Sequence, residues 1–505
     1  MAHDCLIPEF ARSRAALTPD AIAFHEAESD RALSFRNVNE RADRFAQAVT
    51  RLGVERGGRI AILCHNCATF FEIFLGCAKA GVILVPLNWR QTPAELTPVM
   101  ADCAATLLLH DDANAELARA LARSSKARLL SFADYETMLT QASDAPPMET
   151  AWPADRIWYL LYTSGTTGKP KAVIQTVGMV LANYVNIQQP TMLTAADRTA
   201  NFLPLFHTAG INLLAMPVFI AGGTNYILPK FDIEPALKLI AAGDISMFFG
   251  VPAIYQAISL HPRFEEIDLS RVRHWGCGGA PLPDNLIRAF LRKGVRICHG
   301  MGMTETGPTV FLMDPDHVAE KIGSVGKPQV LVEVRIVDAD GKDAPPGGRG
   351  ELLFRGPAIT PGYYNNEQAT RSTIDADGWL HSGDVGLRDA DGYYYIVDRI
   401  KDMYISGGEN VYPAEVEAVL MSCPDVLEAA VIGVADAKWG EVGHAAVLPR
   451  PGKQIATEAL RAYARERLAA YKVPKHITVV DEFPRTAAGK IQKHVLKSRL
   501  REPSS

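Results

Sequence analysis

The chain reads as an α/β protein with a β-rich segment and a separate α+β unit at its C-terminal end. Three observations give that reading. The first is strand and helix patterns that alternate over the first 330 residues. The second is a run of short strands between Asp-Gly and Pro-Gly turns at 331–398. The third is a new α+β pattern after Asp398.

In the first part RIAILC, VILVPL and TLLLH are apolar runs of strand length, and FFEIFLGCAKAG and ELTPVMADCA are helical. Alternation of this kind predicts a parallel sheet covered on both faces. The segment QASDAPPMETAWPAD is polar and Pro-rich and is expected to be a loop. From 156 the alternation resumes, with strands TNYIL, ISMFFG and RHWGCGG and helices EPALKLIAA and NLIRAFLRKG. VEVRIVDADG, GELLFRG, GWLHSGDVG and YYYIVD then predict a barrel or meander. The remainder carries helices PAEVEAVLMS and ATEALRAYARERLA and strands LEAAVIGV, HAAVLPR and ITVVDE. The expected division is 1–398, a connector at 399–401, and 402–505.

With 505 residues the chain exceeds one core, so two or more domains are expected. A net charge of −5 gives no nucleic-acid footprint. The N-terminus shows no signal-peptide pattern. The longest uncharged apolar stretch, Ala209–Tyr226, is broken by Asn212, Pro217 and Gly222-Gly223, which predicts a buried helix and turn, not a membrane span. Eight cysteines are not a disulfide framework. Cys64 and Cys67 form a CxxC without a second pair, so a structural role and a reducing, cytoplasmic setting are expected.

Four motifs carry chemistry. Thr163, Ser164, Gly165, Thr166, Thr167 and Gly168, followed by Lys169-Pro170-Lys171, alternate hydroxyls with glycines just beyond the strand IWYLLY. Glycines let backbone N–H groups close on a phosphate, and hydroxyls add donors. The spacing is not that of a Walker A loop. The bland alternative is a Ser/Gly surface loop. Second, Gly300 to Glu305 sets a carboxylate in a glycine-containing loop. It suits Mg²⁺, or equally a helix N-terminal charge. Third, Asp384 in His381-Ser382-Gly383-Asp384 could accept from ribose hydroxyls, or belong to an ordinary turn. Fourth, Lys490 sits in a small-residue loop, where a solvated lysine is the plain alternative.

Taken in order, these four together with LNWRQTPAEL, GGAPL and DRIKDMYISGGENVYPAEVE resemble the adenylate-forming superfamily: acyl-CoA synthetases, nonribosomal-peptide adenylation domains and firefly luciferase. The resemblance implies a large N-terminal domain of two α/β sheets plus a β-barrel, with a small mobile C-terminal domain. It implies ATP, Mg²⁺ and coenzyme A as cofactors and a small carboxylic acid as substrate, with no nucleic acid and no membrane span; a homodimer is compatible with it. By position, residues 163–168 look like the phosphate loop. Thr304 and Glu305 look like the AMP-phosphate contact and the metal ligand. Gly279, Ala280 and Pro281 resemble the segment against adenine, and Asp384 and Arg399 the ribose contacts. Lys490 looks like the lysine that meets carboxylate and α-phosphate. Lys401 falls at the hinge, and Gly407 and Gly408 where relatives line the pantetheine path. His207 stands at the carboxylate end of the acyl pocket, against the alternative of an ordinary half-buried histidine.

The sequence departs from the pattern at Met301, where many relatives are aromatic, and at Ile405, where plant relatives carry lysine. Ala209, Gly210 and Ile211 predict an apolar acyl tail, with Met247, Phe248, Phe249, Val251 and Trp275 as further candidate walls. No basic residue occurs in 203–215, which argues against a dicarboxylate and for an aromatic or medium-chain fatty acid. Three rival readings are a loader of carrier proteins, a non-catalytic nucleotide-binding protein and an oxygenase resembling luciferase. Retention of Glu305 and Lys490 argues against the second.

Overall fold

The runs RIAIL, ILVP and LLLH show no polar alternation, and the structure buries them almost from end to end. This is the burial of parallel strands covered on both faces. In the computed structural model, which describes residues 5–142, 150–163, 170–486 and 489–500, they form the middle of a six-stranded sheet. Its order is Lys171–Thr176, Ile157–Thr163, Ile83–Pro86, Arg59–Leu63, Leu107–His110, Arg128–Ser131. Only the edge strand Lys171–Thr176 is antiparallel to its neighbour.

A second sheet has nine strands, ordered Lys327–Pro328, Phe311–Leu312, Ile297–Met301, His274–Cys277, Met247–Gly250, Arg198–Asn201, Thr224–Ile227, Ile22–Glu26, Ala32–Ser34. Its far edge comes from the start of the chain: Phe24 lies opposite Asn225 in a parallel pair. Helix Ala68–Ala80, buried at every residue, sits between the sheets. Phe71 of that helix stacks on Phe24 at 4.6 Å, and Phe24 stacks on Phe219 at 5.5 Å. One apolar core thus reaches both sheets.

Two expectations are corrected or refined. The Pro-rich stretch at 141–155 is not all loop: Ala151–Pro153 pairs antiparallel with Leu6–Pro8, and 143–149 lie outside the described residues. The barrel or meander expected at 331–398 takes the form of a four-stranded antiparallel meander, Glu333–Val337, Gly350–Arg355, Leu380–Arg388 and Tyr394–Arg399. The apolar stretch from Ala209 folds as a π-helical turn, Ala209–Leu213, and a helix, Ala215–Ala221, stopped by Gly222 in the left-handed conformation. Among the described residues no helix is long and apolar enough to cross a membrane.

After Arg399 the next strand, Tyr404–Ser406, belongs to a different sheet, with Glu409–Val411, Gly440–Pro449, Val426–Asp436 and His476–Val479. Helices Pro413–Met421 and Thr457–Arg465 pack on it around Val416, Leu420, Val431, Val447 and Leu460. All eight cysteines are free. Cys67 occupies the N-cap of helix Ala68–Ala80, and burial pushes the Cys64 thiol well up, against reactivity.

The first helix, Phe10–Leu17, is fixed by charge. Glu9 accepts from the N–H groups of Ala11 and Arg12 at its N-terminus. The same carboxylate meets the Lys79 ammonium at 2.8 Å, and Lys79 also reaches Asp43 at 2.8 Å. The Glu9 side chain has no exposed surface and that of Lys79 is 3% exposed. Removing the cation strands a buried carboxylate. Lys79→Met should therefore destabilise the fold by about 3–5 kcal/mol, read as a lower urea midpoint; an unchanged midpoint would show the cluster to be energetically neutral.

Candidate active site

The hairpin formed by Ile157–Thr163 and Lys171–Thr176 begins the site. Thr163 ends its strand opposite Lys171, and its hydroxyl donates to the Lys171 carbonyl at 3.4 Å. Ser164, Gly165, Thr166, Thr167 and Gly168 lie outside the described residues. The hairpin reaches the turn Thr304–Thr306, because Gln175 Nε2 donates to the Thr304 carbonyl at 2.9 Å. Glu305 in that turn is 8% exposed. Tyr363 donates its hydroxyl to Glu305 Oε1 at 2.9 Å, and Thr360 N–H donates to the Glu305 carbonyl at 2.8 Å. Oε2 has no partner among the described residues, so it can serve a hard cation. Burial and the neighbouring Glu305 charge raise the Tyr363 phenol, which stays a donor. Sequence reasoning missed Tyr363: its motif, GYYNN, carries no chemistry on its face.

Gly279, Ala280 and Pro281 follow strand His274–Cys277. Gly279 has φ +84°. His299, on the adjacent strand, donates Nε2–H to the Ala280 carbonyl at 3.1 Å. Burial lowers its pKa to about 4, so the ring is a neutral donor. This support for the segment was also missed. Met301 is half-buried and packs beside Phe311 and Tyr394. Asp384 and Arg399 lie opposite each other on neighbouring strands and form an ion pair at 2.7 Å. Burial raises the Asp384 carboxyl, while Arg399, Lys490 and Lys401 pull it down. Next to this pair, Asp398 spans the connector. One of its oxygens accepts from Arg399 N–H at 2.7 Å and the other from Ala414 N–H at 2.7 Å, in the first turn of helix Pro413–Met421. Burial lifts the Asp398 pKa to about 6, against the pull of Lys493.

Lys490 enters this cleft from the C-terminal unit. Its backbone is held by Thr486 on both sides, N–H to hydroxyl at 3.2 Å and carbonyl to N–H at 2.7 Å. A Cβ on Gly489 would lie 4.0 Å from Val251, and one on Gly279 would lie 3.5 Å from the same side chain. The lysine loop therefore reaches the Gly279 segment. The ammonium is crowded by protein yet still meets solvent in the cleft. That crowding lowers its pKa, as does Arg399, while Asp384 and Glu305 raise it. His207 feels Lys490 as well. Burial, then Lys490, then Arg90 lower its pKa to about 4. Its Nε2 is buried without a partner among the described residues, and its ring lies 4.7 Å from Phe206. Arg90, to which sequence reasoning gave no role, stacks over Trp89 at 4.8 Å.

A small, partly open void of about 10 Å³ is lined by Ala209, Gly210, Leu213, Leu214 and Phe249 among others. Of the candidate walls, Phe249 lines it, whereas Met247, Phe248 and Trp275 are core. Gly407 and Gly408, at φ +61° and +89°, form the two-residue turn between Tyr404–Ser406 and Glu409–Val411. That turn type requires positive φ at both central positions. A Cβ on Gly407 would meet the Trp439 ring at 2.9 Å; one on Gly408 would meet open space. Ile405 beside them is half exposed. Among the described contacts, Gly407 touches Trp439, and neither glycine touches Lys490.

A buried carboxylate at Glu305, the Asp384–Arg399 pair and Lys490 are thus linked by charge. Residues 11–364 match the AMP-binding enzyme family and residues 415–490 match the AMP-binding enzyme C-terminal domain, and the chain belongs to that family. It is 41% identical over 487 residues to a feruloyl-CoA synthase of an Amycolatopsis species, covering 96% of this chain and 97% of that one. It is 35% identical to an indoleacetate–CoA ligase of Aromatoleum aromaticum, with 96% of each covered. Its fold superposes on the o-succinylbenzoate CoA synthetase of Bacillus subtilis in complex with the acyl-adenylate intermediate, with TM-score 0.89, 32% identity and 99% of each chain covered.

The lowered pKa of His207 is directly measurable. Histidine NMR should place its midpoint near pH 4, leaving the ring neutral at pH 6, where an exposed histidine is already mostly charged. A midpoint at about 6.5 would show the ring to be solvated.

Proposed function

We propose that this chain is an acid–thiol ligase. It activates an apolar carboxylic acid with ATP to an acyl-adenylate, releasing pyrophosphate, and transfers the acyl group to coenzyme A with release of AMP. The observation that best supports the reading is shared charge: Lys490 feels Arg399, Asp384 and Glu305, His207 feels Lys490, and Arg399 pairs with Asp384. The CoA-ligase names of full-length relatives support it, and favour coenzyme A over a carrier protein as acceptor.

A carboxylate and the α-phosphate are both anions and repel one another. The cleft offsets this with Lys490 and Arg399, and a cation fixed in advance is worth most where charge builds up. Mg²⁺ on the unpartnered oxygen of Glu305 would supply further charge neutralisation. Asp384, held by Arg399, presents its remaining acceptor capacity to the ribose hydroxyls. His207, neutral and unpartnered, borders the acid's carboxylate. Ala209, Gly210 and Ile211, which follow it in the chain, suit an apolar tail. An aromatic or hydroxycinnamic acid is favoured over a medium-chain fatty acid by the feruloyl-CoA synthase relative. The boundary of the two units is proposed at 399–401, with Lys401 as hinge. Rotation there withdraws Lys490 and brings the Gly407-Gly408 turn to the adenylate. The eight free cysteines suit a cytoplasmic setting.

The deciding experiment is pyrophosphate release over ferulate, 4-coumarate, benzoate, indoleacetate and hexanoate, with and without coenzyme A. Ferulate or 4-coumarate should rank first, with one equivalent released without coenzyme A and turnover with it. No release with any acid would end the proposal. Asp384→Ala should raise KM for ATP and lower turnover, at a cost of about 1.5–3 kcal/mol for a lost charged acceptor; unchanged ATP kinetics would remove Asp384 from the site. Lys490→Ala should abolish adenylate formation but still convert supplied acyl-adenylate to thioester. Gly408→Leu, strained at φ +89°, should form adenylate and stall. Equal loss of both half-reactions in both variants, at normal stability, would rule out two alternating faces.

A further inference from the structure

The turn Ala209–Leu213 next to His207 is the one π-helical turn among the described residues. Such turns free backbone groups from the regular ladder and recur at functional sites. Here it is pinned from several sides. A Cβ on Gly210 would lie 2.3 Å from the Pro204 carbonyl oxygen, so only glycine fits. Asn201 Nδ2 donates to the Gly210 carbonyl at 3.3 Å, and Asn183 Nδ2 donates to the Asn212 carbonyl at 2.6 Å.

The side chain of Asn212 points away from solvent altogether, at 0% exposure. Its Nδ2 faces three acceptors: Tyr159 Oη at 2.6 Å, the Gly307 carbonyl at 3.2 Å and Thr208 Oγ1 at 3.3 Å. A carbonyl can only accept, so the Gly307 contact fixes the NH₂ end of the amide on this side. An amide has two N–H bonds, so three acceptors compete for two donors. Its Oδ1 is buried with no partner among the described residues. These contacts bridge separate parts of the site. Tyr159 belongs to the strand that ends at Thr163, where the proposed phosphate loop begins. Gly307 follows the turn Thr304–Thr306 that carries Glu305. Thr208 follows His207, at the acid's end.

We infer that Asn212 is a positioning residue that couples acid binding to ATP binding. The inference rests on the ligase reading above. An acid seated against His207 and the 209–213 turn fixes which acceptors the amide serves. That choice sets the Gly307 carbonyl, and with it the turn bearing Glu305. ATP ordering that turn acts back through the same amide, since coupling between two ligands is reciprocal. A buried amide with a purely structural role would support stability and leave the two affinities independent.

The test is a ligand-coupling measurement on the full-length enzyme. The first-ranked acid of the pyrophosphate screen is titrated by calorimetry with and without α,β-methylene-ATP and Mg²⁺. The wild-type protein should bind the acid roughly 5–150-fold more tightly with the nucleotide present. Asn212→Leu, which keeps the branched four-atom side chain and removes both donors, should bring that ratio to about one. Tyr159→Phe removes one acceptor and leaves the amide in place, and should reduce the ratio by at least half; it carries the test alone if Asn212→Leu does not fold. A wild-type ratio of one, or a ratio unchanged in a folded variant, overturns the inference. Absence of pyrophosphate release with every acid fails the ligase reading instead, before any variant is made, and the inference falls with it.

Discussion

Charges withdrawn from bulk water must find countercharges nearby, and this requirement shapes the cleft. Lys490 feels the carboxylates of Asp384 and Glu305, and Asp384 feels Arg399, Lys490 and Lys401. The excess of positive charge suits a polyanionic nucleotide and steers it inward. It also explains the direction of each titration. Asp384 is lifted by burial but held down by three cations, while Lys490 and His207 are pushed down by burial and like charge together. The large unit alone would hold both carboxylates without Lys490. Lys490, from the C-terminal part of the chain, adds a positive charge next to them.

Beneath the charges lies a rigid frame of backbone contacts. Glu305 is aimed by Tyr363 and Thr360, the Gly279 segment by His299, and the 209–213 turn by Asn183 and Asn201. Each of these supports is a buried residue that donates one hydrogen bond to a neighbouring loop. Precision of this kind is what a reaction between two anions needs, because a small displacement of one charged group costs much of the stabilisation it gives.

Those supports mark the limit of what the sequence disclosed. Buried parallel strands were legible because runs such as RIAIL and LLLH announce burial on both faces. Asp384, Glu305 and Lys490 were legible only as members of an ordered set of motifs; singly, each has an ordinary explanation. Tyr363, His299 and Asn212 were not legible at all, since their partners lie 58, 19 and 95 residues away and nothing local signals the contact. The same reason hid strand Ile22–Glu26, whose place in the second sheet only the folded chain shows. Ala151–Pro153 was hidden differently, by a proline-rich setting that reads as loop until Leu6–Pro8 is placed beside it.

That long-range pairing has a consequence for how the protein is made. Phe24 can pair at once with Leu33, but its other edge waits for Asn225, and Leu6 waits for Pro153. Ribosomes add about 5–20 residues per second, so the opening segment spends on the order of 10–40 s with apolar surface and strand edges uncovered while the intervening 200 or so residues emerge. Leu33, Phe24 and Phe35, fully or nearly buried in the finished protein, are exposed throughout that interval. A chaperone that shields Phe24, Leu33 and Phe35 until Asn225 has been made would protect surface that the finished protein buries.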